Sequence, residues 1–148
     1  MAKKALNELT SELRKRDRIS LFRFGSHTEA LIGRPTEVSP TFFRREYKPI
    51  VETIEADLGG TEIRLAIDTV IADKQPADIL LITDGDVWDE LDLVALYAQH
   101  VRLFVIGVGH AANEHWCRNV AQKTLGACEM VTPYEDMDSA VLRMVRRM

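Results

Sequence analysis

The run Ile79-Leu80-Leu81-Ile82-Thr83-Asp84-Gly85-Asp86 sets four large apolar residues in a row and then turns polar at a glycine. Four such residues without alternation are the pattern of a strand covered on both faces, as in the centre of a parallel sheet. The tip Thr83-Asp84-Gly85-Asp86 suits a tight turn. In open α/β sheets, ligands bind just outside the carboxyl ends of the strands. Asp84 is therefore the first candidate functional residue. The structural alternative is that Asp84 and Asp86 shape the turn or cap the helix that follows.

Working outward, Leu103-Phe104-Val105-Ile106 repeats the doubly covered pattern and ends at Gly107-Val108-Gly109. Ile19 to Phe24 reads as a strand rich in β-formers. Thr28 to Ile32 is a weaker strand, close enough for a hairpin and so antiparallel and at an edge. Residues 33–39 read as a surface loop, and Ala127 to Val131 as a short strand. Helical spacing runs through Ala5, Leu6, Leu9 and Leu13, predicting a helix over 2–16. A second helix starts at Pro49 with the stripe Ile50, Ile54 and Leu58, and Gly59-Gly60 stops it. Thr61 can cap the next, whose stripe is Ile63, Ile67, Val70 and Ile71. Residues 89–99 form another, with Leu93, Leu96 and Tyr97 inward. Asn113 caps a helix carrying Trp116, Val120 and Ala121, stopped at Leu125-Gly126. Met137, Val141, Met144 and Met148 mark a closing helix. This alternation predicts a single α/β domain over residues 1–148, of three layers. A mainly parallel central sheet with one antiparallel edge strand carries helices on both faces.

Of the 148 residues, 46% are apolar and 28% charged, the balance of a globular domain. A net charge of −4 gives no reason to expect nucleic acid as a partner. The arginines and lysines near both ends read as solvated helix faces. No apolar run reaches the length of a membrane span and no secretory signal opens the chain. Cys117 and Cys128 lack a framework spacing, which points to free, buried thiols and a cytoplasmic location. His110, His115 and Cys117 fit no common zinc pattern. No nucleophile elbow surrounds Ser11, Ser20 or Ser26. Gly107-x-Gly109 lacks the later glycine of a dinucleotide fingerprint and reads as a tight turn.

Four segments, taken in order, resemble the von Willebrand factor type A (VWA) family: Phe22-Arg23-Phe24-Gly25-Ser26, Gly59-Gly60-Thr61, Leu81-Ile82-Thr83-Asp84-Gly85 and Phe104-Val105-Ile106-Gly107-Val108-Gly109. The trailing Asn113, Ala121 and Gly126 are also similar to the end of that pattern. The resemblance implies a Rossmann-like fold and a non-enzymatic role in protein recognition through a metal-ion-dependent adhesion site (MIDAS). There a divalent ion, typically Mg²⁺, sits at the carboxyl end of the sheet among hard oxygen ligands. Thr61 and Asp84 match two of the family's metal-site residues. The family's Asp-x-Ser-x-Ser run, at the end of the first, central strand, has no counterpart, because the chain opens at the helix that follows it.

The expectation is thus a domain truncated at its N-terminus, with an incomplete metal site that holds Mg²⁺ only if the upstream motif is supplied. The central strand would lie between Ile19–Phe24 and Ile79–Thr83. Burying such a strand is worth on the order of 10 kcal/mol, against about 5–15 kcal/mol for a whole domain. A longer parent polypeptide, a strand recruited from a partner, or a different closure of the gap would each answer this. The expected partner is another protein or another part of a larger polypeptide, with a homodimer through the exposed sheet edges as a further possibility. The alternative function is a small-molecule or nucleotide-binding domain, perhaps enzymatic, using the crevice around Asp84 and Gly109.

Overall fold

The computed structural model describes residues 2–55, 62–84, 87, 89–110, 112–132 and 134–148, without the side chain of Ala2. Two sheets form its middle layer. β1 (Arg18–Phe24) and β2 (Thr28–Glu37) pair as an antiparallel hairpin, while β3 (Ala77–Thr83), β4 (Val101–Val108) and β5 (Ala127–Val131) form a parallel sheet in that order. The register runs from Ala77 opposite Val101 to Thr83 opposite Gly107, and from Phe104 opposite Ala127 to Val108 opposite Val131.

The strands alternate their apolar side chains between two helical layers. On one face Phe104, Ile106 and Val131 pack with Ala5 and Leu9 of the first helical segment, α1 (Ala2–Glu8) and its 3₁₀ continuation Leu9–Ser11. Ala140, Val141 and Met144 of α7 (Met137–Arg147) close that cluster. On the other face Leu81, Leu103 and Val105 pack under α4 (Ile63–Val70), α5 (Leu93–Ala98) and α6 (Glu114–Lys123). Ion pairs tie the first helix to the last: Lys4 Nζ reaches Asp138 at 2.8 Å and Arg146 reaches Glu12 at 2.9 Å. The hairpin has its own cluster, in which Ile32 meets Phe42, Tyr47 and Val51. The last three belong to a helical stretch of three parts: α2 (Pro40–Phe42), a π turn (Phe43–Tyr47) and α3 (Lys48–Glu52).

The α/β, mainly parallel, three-layer architecture agrees with the sequence reading, and its departures have physical causes. The first helix ends at Ser11 rather than near residue 16, because the Thr10 and Ser11 hydroxyls bond back to the Asn7 and Glu8 carbonyls. Residues 33–37, expected as loop, continue β2, with the register slipping around Gly33 to Pro35. β2 is an outer strand, where a proline costs no ladder bond. The helical stretch starts at Pro40 rather than Pro49. Ser39 caps it by accepting from the Phe42 N–H at 3.0 Å, with Pro40 at its first position. It ends at Glu52, so Ile54 lies beyond it, and Leu58 to Thr61 fall outside the described residues. Tyr97, expected inward, is 56% exposed. The short α5 buries Leu96 and leaves Val94 and Tyr97 on its outer face.

β3 packs on both faces, as its sequence indicated, but less completely than β4. Its Ile79, Leu80 and Ile82 are half-buried, whereas Leu103, Phe104, Val105 and Ile106 of β4 are 0–2% exposed. The fully covered central strand of the parallel sheet is β4, paired on both sides. β3 carries an equally apolar sequence but pairs only with β4 among the described residues.

Candidate functional site

The carboxyl ends of the strands meet at one tip of the molecule. β1 ends at Phe24, and the Gly25 carbonyl accepts from the Glu62 N–H at 2.8 Å, which ties the hairpin to the start of α4. After β3, Asp89 Oδ2 accepts from the Arg64 N–H at 2.9 Å, in the first turn of the same helix. Trp116 Nε1 donates to the Asp89 carbonyl at 2.7 Å and Asn113 Nδ2 to the Val87 carbonyl at 3.1 Å. Val87 and Asp89 are thus held between two helix starts. Asn113 also caps α6, its Oδ1 accepting from the Trp116 N–H at 3.0 Å, as its sequence position indicated.

Asp84 stands exposed immediately after β3. Its carboxylate makes no hydrogen bond or ion pair with another described residue. Thr61, its proposed partner, lies outside the described residues, as do Gly59, Gly60 and Asp86. Glu62, Asp68, Asp89 and Glu90 line a shallow depression with Arg64 and Leu65. Asp89 is occupied as a helix cap. A sequence signal for this existed: an aspartate after a strand end is as good a cap as a ligand. What no local pattern shows is that it caps a helix 25 residues earlier in the chain.

Among the described residues, no group of three or more histidine, cysteine or carboxylate side chains converges to hold a metal. Asp84 offers one hard oxygen ligand. A Mg²⁺ centre asks for an octahedron of oxygens, so the described donors alone do not make one. The other candidate chemistries dissolve on inspection. His110 and His115 are exposed while Cys117 is buried, and positions two apart on α6 point to different sides. Cys117 and Cys128 are free thiols, the first buried and the second half-buried. The neighbouring Cys128 thiol, and then burial, pushes the Cys117 thiol up. Gly109 has φ 78° and donates its N–H to the Val131 carbonyl at 2.8 Å. The glycine serves a turn, and that amide is not available to a phosphate.

The chain belongs to the von Willebrand factor type A domain family, whose pattern matches residues 1–130. It is 26% identical to a von Willebrand factor A domain-containing protein of Dictyostelium discoideum over 152 aligned positions, covering 97% of this chain and 16% of that protein. It is also 25% identical to a human protein mono-ADP-ribosyltransferase (PARP4), covering 78% of this chain and 7% of that one. The chain therefore spans less than a fifth of these relatives. Among solved structures it resembles a von Willebrand factor type A protein from Catenulispora acidiphila, with TM-score 0.77 and 15% identity over 98% of this chain and 36% of that one. It likewise resembles the mussel byssus proximal thread matrix protein 1 with a zinc-occupied MIDAS motif, with TM-score 0.68 and 16% identity over 98% and 40%. At these identities the likeness is one of fold.

Proposed function

We propose that this chain is a non-enzymatic protein-interaction module in which Asp84, with Thr61, supplies part of a divalent-cation site that other groups complete. The observation that carries this reading is the division of labour among the acidic residues at the tip. Asp89 is committed to capping α4, while Asp84 presents an uncommitted carboxylate at the carboxyl end of β3. The family is generally one of interaction modules, and a fold neighbour holds zinc at its MIDAS motif. Mg²⁺ is the favoured ion, because carboxylate and hydroxyl oxygens are hard ligands. The partner is another protein or another part of a longer polypeptide. The two free cysteines favour a reducing compartment such as the cytoplasm.

Metal titration followed by NMR tests this. Mn²⁺ is expected to broaden amides around Asp84 with a dissociation constant on the order of millimolar, as befits a partial site. Mg²⁺ should compete, and Asp84→Ala should abolish the broadening. Broadening that survives in Asp84→Ala, or that centres on Glu90 and Asp68, would overturn the reading.

A further inference from the structure

We propose that the groove between α1 and the π turn binds a short acidic segment of a partner protein, seating one apolar side chain between its carboxylates. This gives the interaction role proposed above a second surface and a partner chemistry. It rests on that role for the partner being a protein, and on nothing at the Asp84 tip.

The groove originates in a proline. Pro40 to Glu52 runs as one helical stretch, and Pro49 inside it has no N–H to offer the Arg45 carbonyl, against which its ring would also clash. The chain widens one turn earlier. There the Lys48 N–H bonds the Phe43 carbonyl, five residues back, in place of that of Arg44. Single π turns of this kind are frequent at functional sites.

Across from the π turn lies α1, and the two enclose an open groove of about 400 Å³. Asn7 and Thr10 line one side, and Phe43, Arg44, Tyr47 and Lys48 the other. Tyr47 fixes the spacing: it is fully buried, and its hydroxyl donates to the Leu6 carbonyl at 2.8 Å. Phe43 stands edge-on to Tyr47, with ring centroids 5.6 Å apart. Phe43 is half-buried, so part of its ring remains as an apolar floor.

Charge decides the occupant. Arg44 and Lys48 are exposed, and their side chains make no hydrogen bond or ion pair with another described residue. No carboxylate lines the groove. In a chain of net charge −4, two cations without an opposing acid stand against the overall balance. The polar groups of the facing wall are already committed: Asn7 Nδ2 donates to Glu52 Oε1 at 3.2 Å, and the Thr10 hydroxyl to the Asn7 carbonyl at 2.7 Å. The free donors are therefore the guanidinium and the ammonium, which carboxylates satisfy. The aromatic floor takes an aliphatic or aromatic side chain, and the volume suits one such side chain with its adjoining backbone. A nucleic acid fits less well, since two cations neutralise too few phosphates to hold one.

The test titrates a synthetic heptapeptide, a central phenylalanine with three glutamates on each side, into the 148-residue chain in EDTA, followed by NMR. The expected result is shifts at Asn7, Thr10, Phe43, Arg44 and Lys48 with a dissociation constant on the order of 100 μM. Binding should weaken about threefold or more as salt rises from about 0.05 to 0.3 M. The Arg44→Gln, Lys48→Gln double variant should keep its melting temperature and bind about tenfold more weakly. Heptapeptides with glutamine for every glutamate, or glycine for the phenylalanine, should each lose about tenfold as well. Several results would overturn the proposal. These are no shift at millimolar peptide, a control peptide that binds as well, or an unchanged affinity in the double variant. Shifts centred on the basic run 14–18, tighter binding of a thymidine hexanucleotide, or groove shifts that follow protein concentration without peptide would do the same. Because EDTA is present throughout, failure of the metal reading leaves this outcome unchanged, and failure here leaves the Mn²⁺ titration unchanged.

Discussion

Two aspartates five positions apart illustrate how one side-chain chemistry serves two ends. Asp89 closes the first turn of α4, so Asp89→Ala is expected to lower stability by about 1 kcal/mol, read as a shift in the urea midpoint at constant slope. Asp84 bonds to no described residue, so Asp84→Ala should leave that midpoint unchanged within about 0.5 kcal/mol while removing the Mn²⁺ response. The reverse pattern, a stability loss at Asp84 and none at Asp89, would exchange the two roles. Both are acidic groups shortly after the end of the same strand. Only the position of the Arg64 N–H, brought in by the fold, separates them.

At the scale of elements, packing distances decide what local pattern cannot. After α6 the chain turns through Leu125 at φ 63° to Gly126, whose N–H returns to the Ala121 carbonyl at 2.9 Å. A β-carbon on Gly126 would fall 1.8 Å from the Leu103 carbonyl oxygen, in the fully buried stretch of β4. Gly126→Ala is therefore expected to cost about 3 kcal/mol or more, visible as a fall in melting temperature. A neutral result would mean that β4 and the α6 terminus move apart freely.

The helix stop itself was legible from Leu125-Gly126, as were β4, the Asn113 cap and the stripe of α7, because each rests on near neighbours in the chain. The length of β2, the start at Ser39-Pro40 and the exposure of Tyr97 were not. They depend on which edge a strand occupies and on how few turns a helix completes. β3 shows the limit most clearly. Its sequence is that of a doubly covered strand and both faces do pack under helices, yet Ile79, Leu80 and Ile82 stay half-buried, because among the described residues β3 has one ladder neighbour where β4 has two.

Across the whole molecule, ion pairs and caps link chain segments far apart in sequence and give stability an acid limit. The Arg146 guanidinium holds the Glu12 carboxyl below its ordinary 4.5. Arg23, and then His27, do the same for Glu29. The Ser139 hydroxyl bonded to Asp136 lowers that carboxyl below 3.8. Each group binds a proton less readily folded than unfolded. Its contribution is therefore complete above the ordinary value and lost as pH falls through the depressed one. The urea midpoint is expected to hold down to about pH 5 and then decline toward pH 3. A midpoint that rises on acidification would contradict these assignments.

Among the described residues β3 has one ladder neighbour where β4 has two, and the account of the parallel sheet rests on that difference. Hydrogen exchange of the isolated chain, resolved to single amides, tests this most directly. The prediction is that amides of Val101 to Val108, paired on both sides, exchange slowly. Alternate amides of 77–82, those directed away from β4, should exchange at least about a hundredfold faster. Uniformly slow exchange along 77–82, matching β4, would contradict the account.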